Sequence, residues 1–204
     1  MENELELIDL TYQDIEEQLS NYTYEIMPIY DNRVESASFP YFVESFYNLI
    51  FYEGYLPSCE DFIDYYLEVN ADKNSVDILD EVQKIGLKAR LSRSYPSLVR
   101  DVHFAKLLED RLDLDVLYNI ELDTTAGIDV LLEDKYGFHL FYDSKRSHNF
   151  RKKKISRHNE LDTIIEFDLP FNEDNGKEIG NVYLYNDWYV IKALELIVKE
   201  EDNE

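Results

Sequence analysis

Residues 127 to 145 read GIDVLLEDKYGFHLFYDSK: two short apolar runs joined by the polar triplet Glu133-Asp134-Lys135. The second run is rich in aromatic residues and reads as a strand, and with the first it predicts a hairpin. Side chains two apart share a strand face. In the first run Ile128, Val130 and Leu132 share one face, and Asp129 lies opposite with Leu131. In the second, Phe138, Leu140 and Tyr142 point one way, and His139, Phe141, Asp143 and Lys145 the other. On this alternation Asp129 and Asp143 face one cleft, with Lys145 beside them.

Two converging carboxylates and an ammonium suit one kind of chemistry. Mg²⁺ takes hard oxygen ligands, commonly one or two carboxylates with water and substrate phosphate. A bound divalent ion lowers the pKa of its water, and a nearby ammonium orients that water or neutralises developing charge. Mg²⁺, or Mn²⁺ in its place, is therefore the expected cofactor, with Asp129 and Asp143 as ligands and Lys145 assisting the attacking water.

Charge places a substrate next to that cleft. The chain carries 44 acidic and 20 basic residues, a net −24 that argues against general affinity for nucleic acid. Yet residues 143–158, DSKRSHNFRKKKISRH, hold seven Lys or Arg against one acid, while residues 1–90 hold 20 acids against five bases. The basic island adjoins the expected site, where a phosphate backbone would lie. Arg146, Arg151, Lys152, Lys153, Lys154 and Arg157 are the expected nucleic-acid-binding residues, on a helix from Ser147 to about His158. They would give salt-sensitive, sequence-independent affinity. The acidic remainder suits a basic protein partner.

The first half reads as helices. Thr11 to Asp14 and Ser58 to Asp61 resemble capping boxes. Pro40 and Gly54 bracket a helix over Tyr41 to Glu53, and another starts at Ser75 with Val76, Leu79, Val82 and Ile85 inward. Ser94-Tyr-Pro-Ser97 predicts a new helix start and a domain boundary, dividing an acidic helical region (1–93) from an α/β core (94–204). A helix to about Leu112 follows, on which Arg100 and His103 could contact phosphate, His103 reading equally well as a solvated helix residue. Then come strands over Val116 to Leu122, the two runs above, Asp162 to Leu169 (broken at Pro170) and Val182 to Tyr185, and a last helix from Asp187.

Asp129, followed by Asp143-Ser144-Lys145 at the end of the next strand, resembles the PD-(D/E)xK nuclease superfamily. Ile128 stands where that pattern has a proline, and Glu133-Asp134-Lys135 is a second acidic-x-Lys match lying in the turn. The resemblance covers about half the chain, from Tyr95 onward. It implies an α/β (α+β) protein with a restriction-endonuclease-like mixed sheet flanked by helices, in the order helix, three strands, helix, strand, here with an added N-terminal helical region. It implies a metal-dependent endonuclease that hydrolyses phosphodiester bonds, DNA before RNA. It also implies a third acid from the helix before the strands, for which Asp101 and Glu109 are the candidates and Asp101 the nearer to the apolar stripe. The alternative is a non-catalytic binding or regulatory subunit on the same fold, docking on a protein or nucleic-acid machine. A third idea, an acidic mimic of DNA, is opposed by the basic segment.

Other classes lack their marks. There is no glycine-rich phosphate loop, zinc-spaced Cys/His set or nucleophile triad. Cys59, the single cysteine, has no internal disulfide partner, and a reducing cytoplasm is the expected compartment. No apolar run reaches the roughly 18 residues of a membrane helix, and the acidic start lacks the basic opening of a secretory signal.

Overall fold

The computed structural model describes residues 9–118, 120–145, 147–148 and 164–202. The first helices are α1 (Tyr12–Asn21), α2 (Asn32–Ser36), α3 (Phe42–Glu53), α4 (Cys59–Val69) and α5 (Asn74–Asp77). Local chemistry sets their ends. Thr11 and Asp14 cap α1 reciprocally, Ser58 accepts the Asp61 amide at the start of α4, and Gly54 closes α3 at φ 74.

Helix α6 (Glu81–Arg111) runs 31 residues from an Asp80–Gln83 capping box and passes through both Gly86 and Pro96. The boundary expected at residue 94 therefore falls inside one helix. Ser94 does not cap; its hydroxyl donates to the Arg90 carbonyl, one turn back. Proline removes one backbone bond and crowds the preceding turn. Burial on both sides of it offsets that cost, with Leu91, Tyr95 and Val99 all at 0–1% exposure. The start expected at Ser75 is likewise replaced by the short α5 and a fresh cap at Asp80, leaving Val82 and Ile85 exposed.

A four-stranded sheet follows: β1 (Val116–Leu117), β2 (Val130–Leu132), β3 (Tyr136–Tyr142) and β4 (Ile165–Phe171), in spatial order β1-β2-β3-β4. The first two pairings are antiparallel and β3–β4 is parallel. The β2–β3 hairpin forms as expected. Its three-residue connection holds Glu133 and Asp134 at φ 52 and 51, both left-handed, and the Lys135 amide donates to the Leu132 carbonyl at 3.0 Å. The strand expected over 116–122 is cut short, because Ile120–Ala126 forms helix α7 between β1 and β2. Pro170 stays within β4, which is tolerable because β4 is the edge strand of this sheet. A small antiparallel pair, β5 (Lys177–Ile179) and β6 (Val182–Leu184), precedes α8 (Asp187–Glu201).

The protein is thus of mixed α/β class. One apolar cluster joins Ile15 and Phe46 from the first helices, Leu91 and Val99 from α6, Leu132 and Phe138 from the sheet, and Ile197 from α8. The N-terminal helices and the sheet share that core through α6. Among the described residues, no helix is long and apolar enough to cross a membrane.

Candidate active site

Asp129 stands at the mouth of the β2–β3 hairpin. Its amide donates to the Phe138 carbonyl at 2.9 Å, although the ladder already sets Val130 opposite Phe138. Two residues of one strand against one of its partner make a bulge, which re-aims a side chain. The Asp129 carboxylate takes the Leu140 amide hydrogen at 2.6 Å. It therefore sits level with Leu140, a residue of the core-facing set, and no longer follows strict alternation.

Helix α6 brings Asp101 to the same neighbourhood. Both Asp101 and Asp129 raise the pKa of the buried phenols of Tyr47 and Tyr185, after the larger effect of burial itself. Asp123 of α7 belongs to this group as well. It accepts the Tyr118 hydroxyl at 2.5 Å, and the Tyr118 ring stacks on Tyr47 at 4.0 Å between centroids and 7° between planes. The Tyr47 hydroxyl is fully buried, with the Tyr118 hydroxyl beside it. Asp101, Asp123 and Asp129 are all half-buried, and all three act electrostatically on the Tyr47 phenol.

Asp143 and Lys145 do not join this group. Leu140, which fixes the Asp129 carboxylate, lies three residues before Asp143, about 10 Å of extended chain at the usual strand rise. Asp143 is exposed, donates its amide to the Phe171 carbonyl at 2.7 Å, and places Oδ1 2.8 Å from His148 Nε2. Lys145 is exposed where the chain turns helical. The bulge departs from the alternation on which the single cleft for Asp129, Asp143 and Lys145 was expected, and Asp143 and Lys145 occupy an exposed segment after β3. Among the described residues, no group of three or more His, Cys, Asp or Glu side chains is placed to hold a metal ion together.

Two expected phosphate contacts are also spent elsewhere. Arg100 is buried, donates to the Tyr183 carbonyl at 2.9 Å and lies 4.2 Å over the Phe171 ring. His103 is buried against Glu16. Glu109 accepts from Lys106 at 2.8 Å. Arg146, Arg151, Lys152, Lys153, Lys154 and Arg157 lie outside the described residues.

A second polar constellation lies on β3 and β4. His139 is only 2% exposed; its Nδ1 hydrogen bonds the Gly127 carbonyl and its Nε2 is 2.7 Å from Glu166 Oε2. His139 therefore ties the Gly127 turn, at φ 70, to β4, two residues before Asp129. Sequence alone gave no sign of the Glu166 partner, 27 residues away on a parallel strand. Asp123 was hidden for a different reason, since Asp123-Thr-Thr-Ala-Gly127 reads as a turn.

No protein-family model matches the chain, and neither the curated proteins nor the solved structures include a match to it.

Proposed function

We propose that this chain is a metal-dependent nuclease of the PD-(D/E)xK type that hydrolyses phosphodiester bonds in DNA in the cytoplasm, with Asp129 and Asp101 at its centre. The observation that carries the reading is that Asp101 of α6 and Asp129, just before β2, are both half-buried and both act electrostatically on the buried phenols of Tyr47 and Tyr185. The order of elements supports it in part: a long helix, antiparallel β1, β2 and β3 with α7 inserted between the first two, then a crossover to parallel β4. Asp129 and Asp101 offer the hard oxygen donors that Mg²⁺ or Mn²⁺ takes, one or two carboxylates being usual for the former. Such an ion, when bound, supplies an activated water and charge stabilisation at phosphate. Asp143 and Lys145, on their own exposed segment, are then substrate-side groups next to the basic residues 146–157.

Cleavage of single- and double-stranded DNA and of RNA, with Mg²⁺ and with Mn²⁺, tests this. Wild-type cutting that is lost in Asp129→Asn and Asp101→Asn supports the proposal. Equal cutting by wild type and both variants points to a contaminant and ends it.

The second reading is a non-catalytic binding or regulatory subunit on the same architecture. The net charge of −24, which suits a basic protein partner, favours it. Salt-sensitive DNA binding without cutting under either ion would select this reading.

A further inference from the structure

A cavity of about 550 Å³ opens between α1 and the loop that joins α3 to α4. That is within the roughly 300–1,000 Å³ of ordinary ligand pockets. Tyr95 forms part of its wall and is fixed there by donating to the Pro57 carbonyl at 2.8 Å. Tyr22 is half-buried and Tyr55 is 44% exposed. Three carboxylates complete the lining: Asp14, Glu17 and Asp61. None of its described lining residues is Lys, Arg or His.

The two kinds of wall act together. Aromatic faces and carboxylates both attract cations, and the rings also cover the apolar stem that carries a side-chain cation. Thr11 hydrogen bonds hold Asp14 below the usual carboxylate range, so it stays ionised. The Tyr55 phenol is pushed up, chiefly by the charge of Glu53, then by burial and by Asp61. Negative charge continues past the cavity through exposed Glu53 and Glu60, so several cations spaced along a chain would be met, beyond the one that enters.

We propose that this cavity is a docking site for an arginine or lysine side chain from a basic segment of a partner protein. The site is separate from the carboxylates around Tyr47 and does not depend on nuclease activity. Charge complementarity selects the occupant: residues 1–90 carry 20 acids and five bases, and the cavity has acids and aromatic rings without a cation of its own.

The probe is a short peptide of alternating arginine and serine, measured by titration calorimetry at about physiological ionic strength, where long-range attraction is screened. Its control is the same peptide with citrulline for arginine. The arginine peptide binds and the citrulline peptide does not. The Glu17→Gln/Tyr55→Ala double variant weakens binding about ten-fold, since one exposed cation–π contact alone is worth about two- to five-fold. Tyr41→Ala and Glu195→Gln, which change an exposed ring at the far end of α3 and an exposed acid on α8, leave it within about two-fold. Circular dichroism and urea midpoints matching wild type show that the variants fold. No binding of the arginine peptide by wild type overturns the proposal, as do equal losses in the double variant and the controls, which would mark diffuse attraction to an acidic surface.

Discussion

Asp129 takes the Leu140 amide hydrogen on its own carboxylate, at 2.6 Å, where a regular hairpin would use a backbone carbonyl. The carboxylate thus has a structural duty beside its proposed chemical one, and substitutions should separate the two. Asp129→Asn keeps an acceptor oxygen and should stay within about 1 kcal/mol of wild-type stability, while Asp129→Ala leaves a part-buried amide unpaired and should cost about 1–3 kcal/mol. Urea unfolding measures both. If the proposed function holds, Mn²⁺ binding followed by its electron spin resonance should fall in both variants alike.

Asp101 and Asp143 should differ in that same titration. Asp101→Ala should weaken Mn²⁺ binding ten-fold or more, about 1.4 kcal/mol. Asp143→Ala should leave it unchanged, because Asp143 stands about 10 Å along the strand from the Asp129 anchor. A larger loss from Asp143→Ala than from Asp101→Ala would restore the cleft expected from strict strand alternation.

His139 should be a stability hot spot. His139→Leu strands the Gly127 carbonyl and removes the imidazole bonded to Glu166, and should cost about 1–3 kcal/mol, as a buried polar group left unsatisfied does. Glu166→Gln keeps a hydrogen-bonding group and should cost less. Denaturant midpoints for the two variants give the comparison.

Acid should weaken the fold through His103. Its ring is fully buried, Nε2 lies 3.2 Å from Glu16 Oε1, and burial holds its pKa below the ordinary 6.5 against the opposing pull of Glu16. The folded ring is then neutral, donating through Nε2. Below pH 6.5 the unfolded chain takes up a proton that the folded chain does not, so stability falls as pH drops through that value. Glu16 is also held low, chiefly by its bond to His103, with Lys177 adding to this and burial opposing it; its contribution is lost only below about 4.5. Unfolding free energies between about pH 7.5 and 5.5 should decline in wild type and decline less in His103→Gln.

Gly180 joins β5 to β6 at φ 60, and a methyl group there would overlap the Leu19 carbonyl oxygen of α1. Gly180→Ala therefore combines left-handed backbone strain, about 1–2 kcal/mol, with displacement of α1. A lowered thermal midpoint with a cooperative transition is the expected result.

Sequence by itself determined what depends on neighbours along the chain. The caps at Thr11 and Ser58, the left-handed end at Gly54, the Glu133–Lys135 turn and the strands beside it follow from residues within a few positions of one another, and so they were legible. Tertiary structure decided the rest. Pro96 and Ser94 carry the local marks of a helix start, yet burial of Leu91, Tyr95 and Val99 between the first helices and the sheet keeps α6 continuous. A one-residue bulge takes Asp129 out of strict alternation and fixes its carboxylate on the Leu140 amide. Alternation along a strand is a local rule, whereas the position of a bulge depends on how two strands and the helix above them pack, and that packing is settled only when the whole core forms.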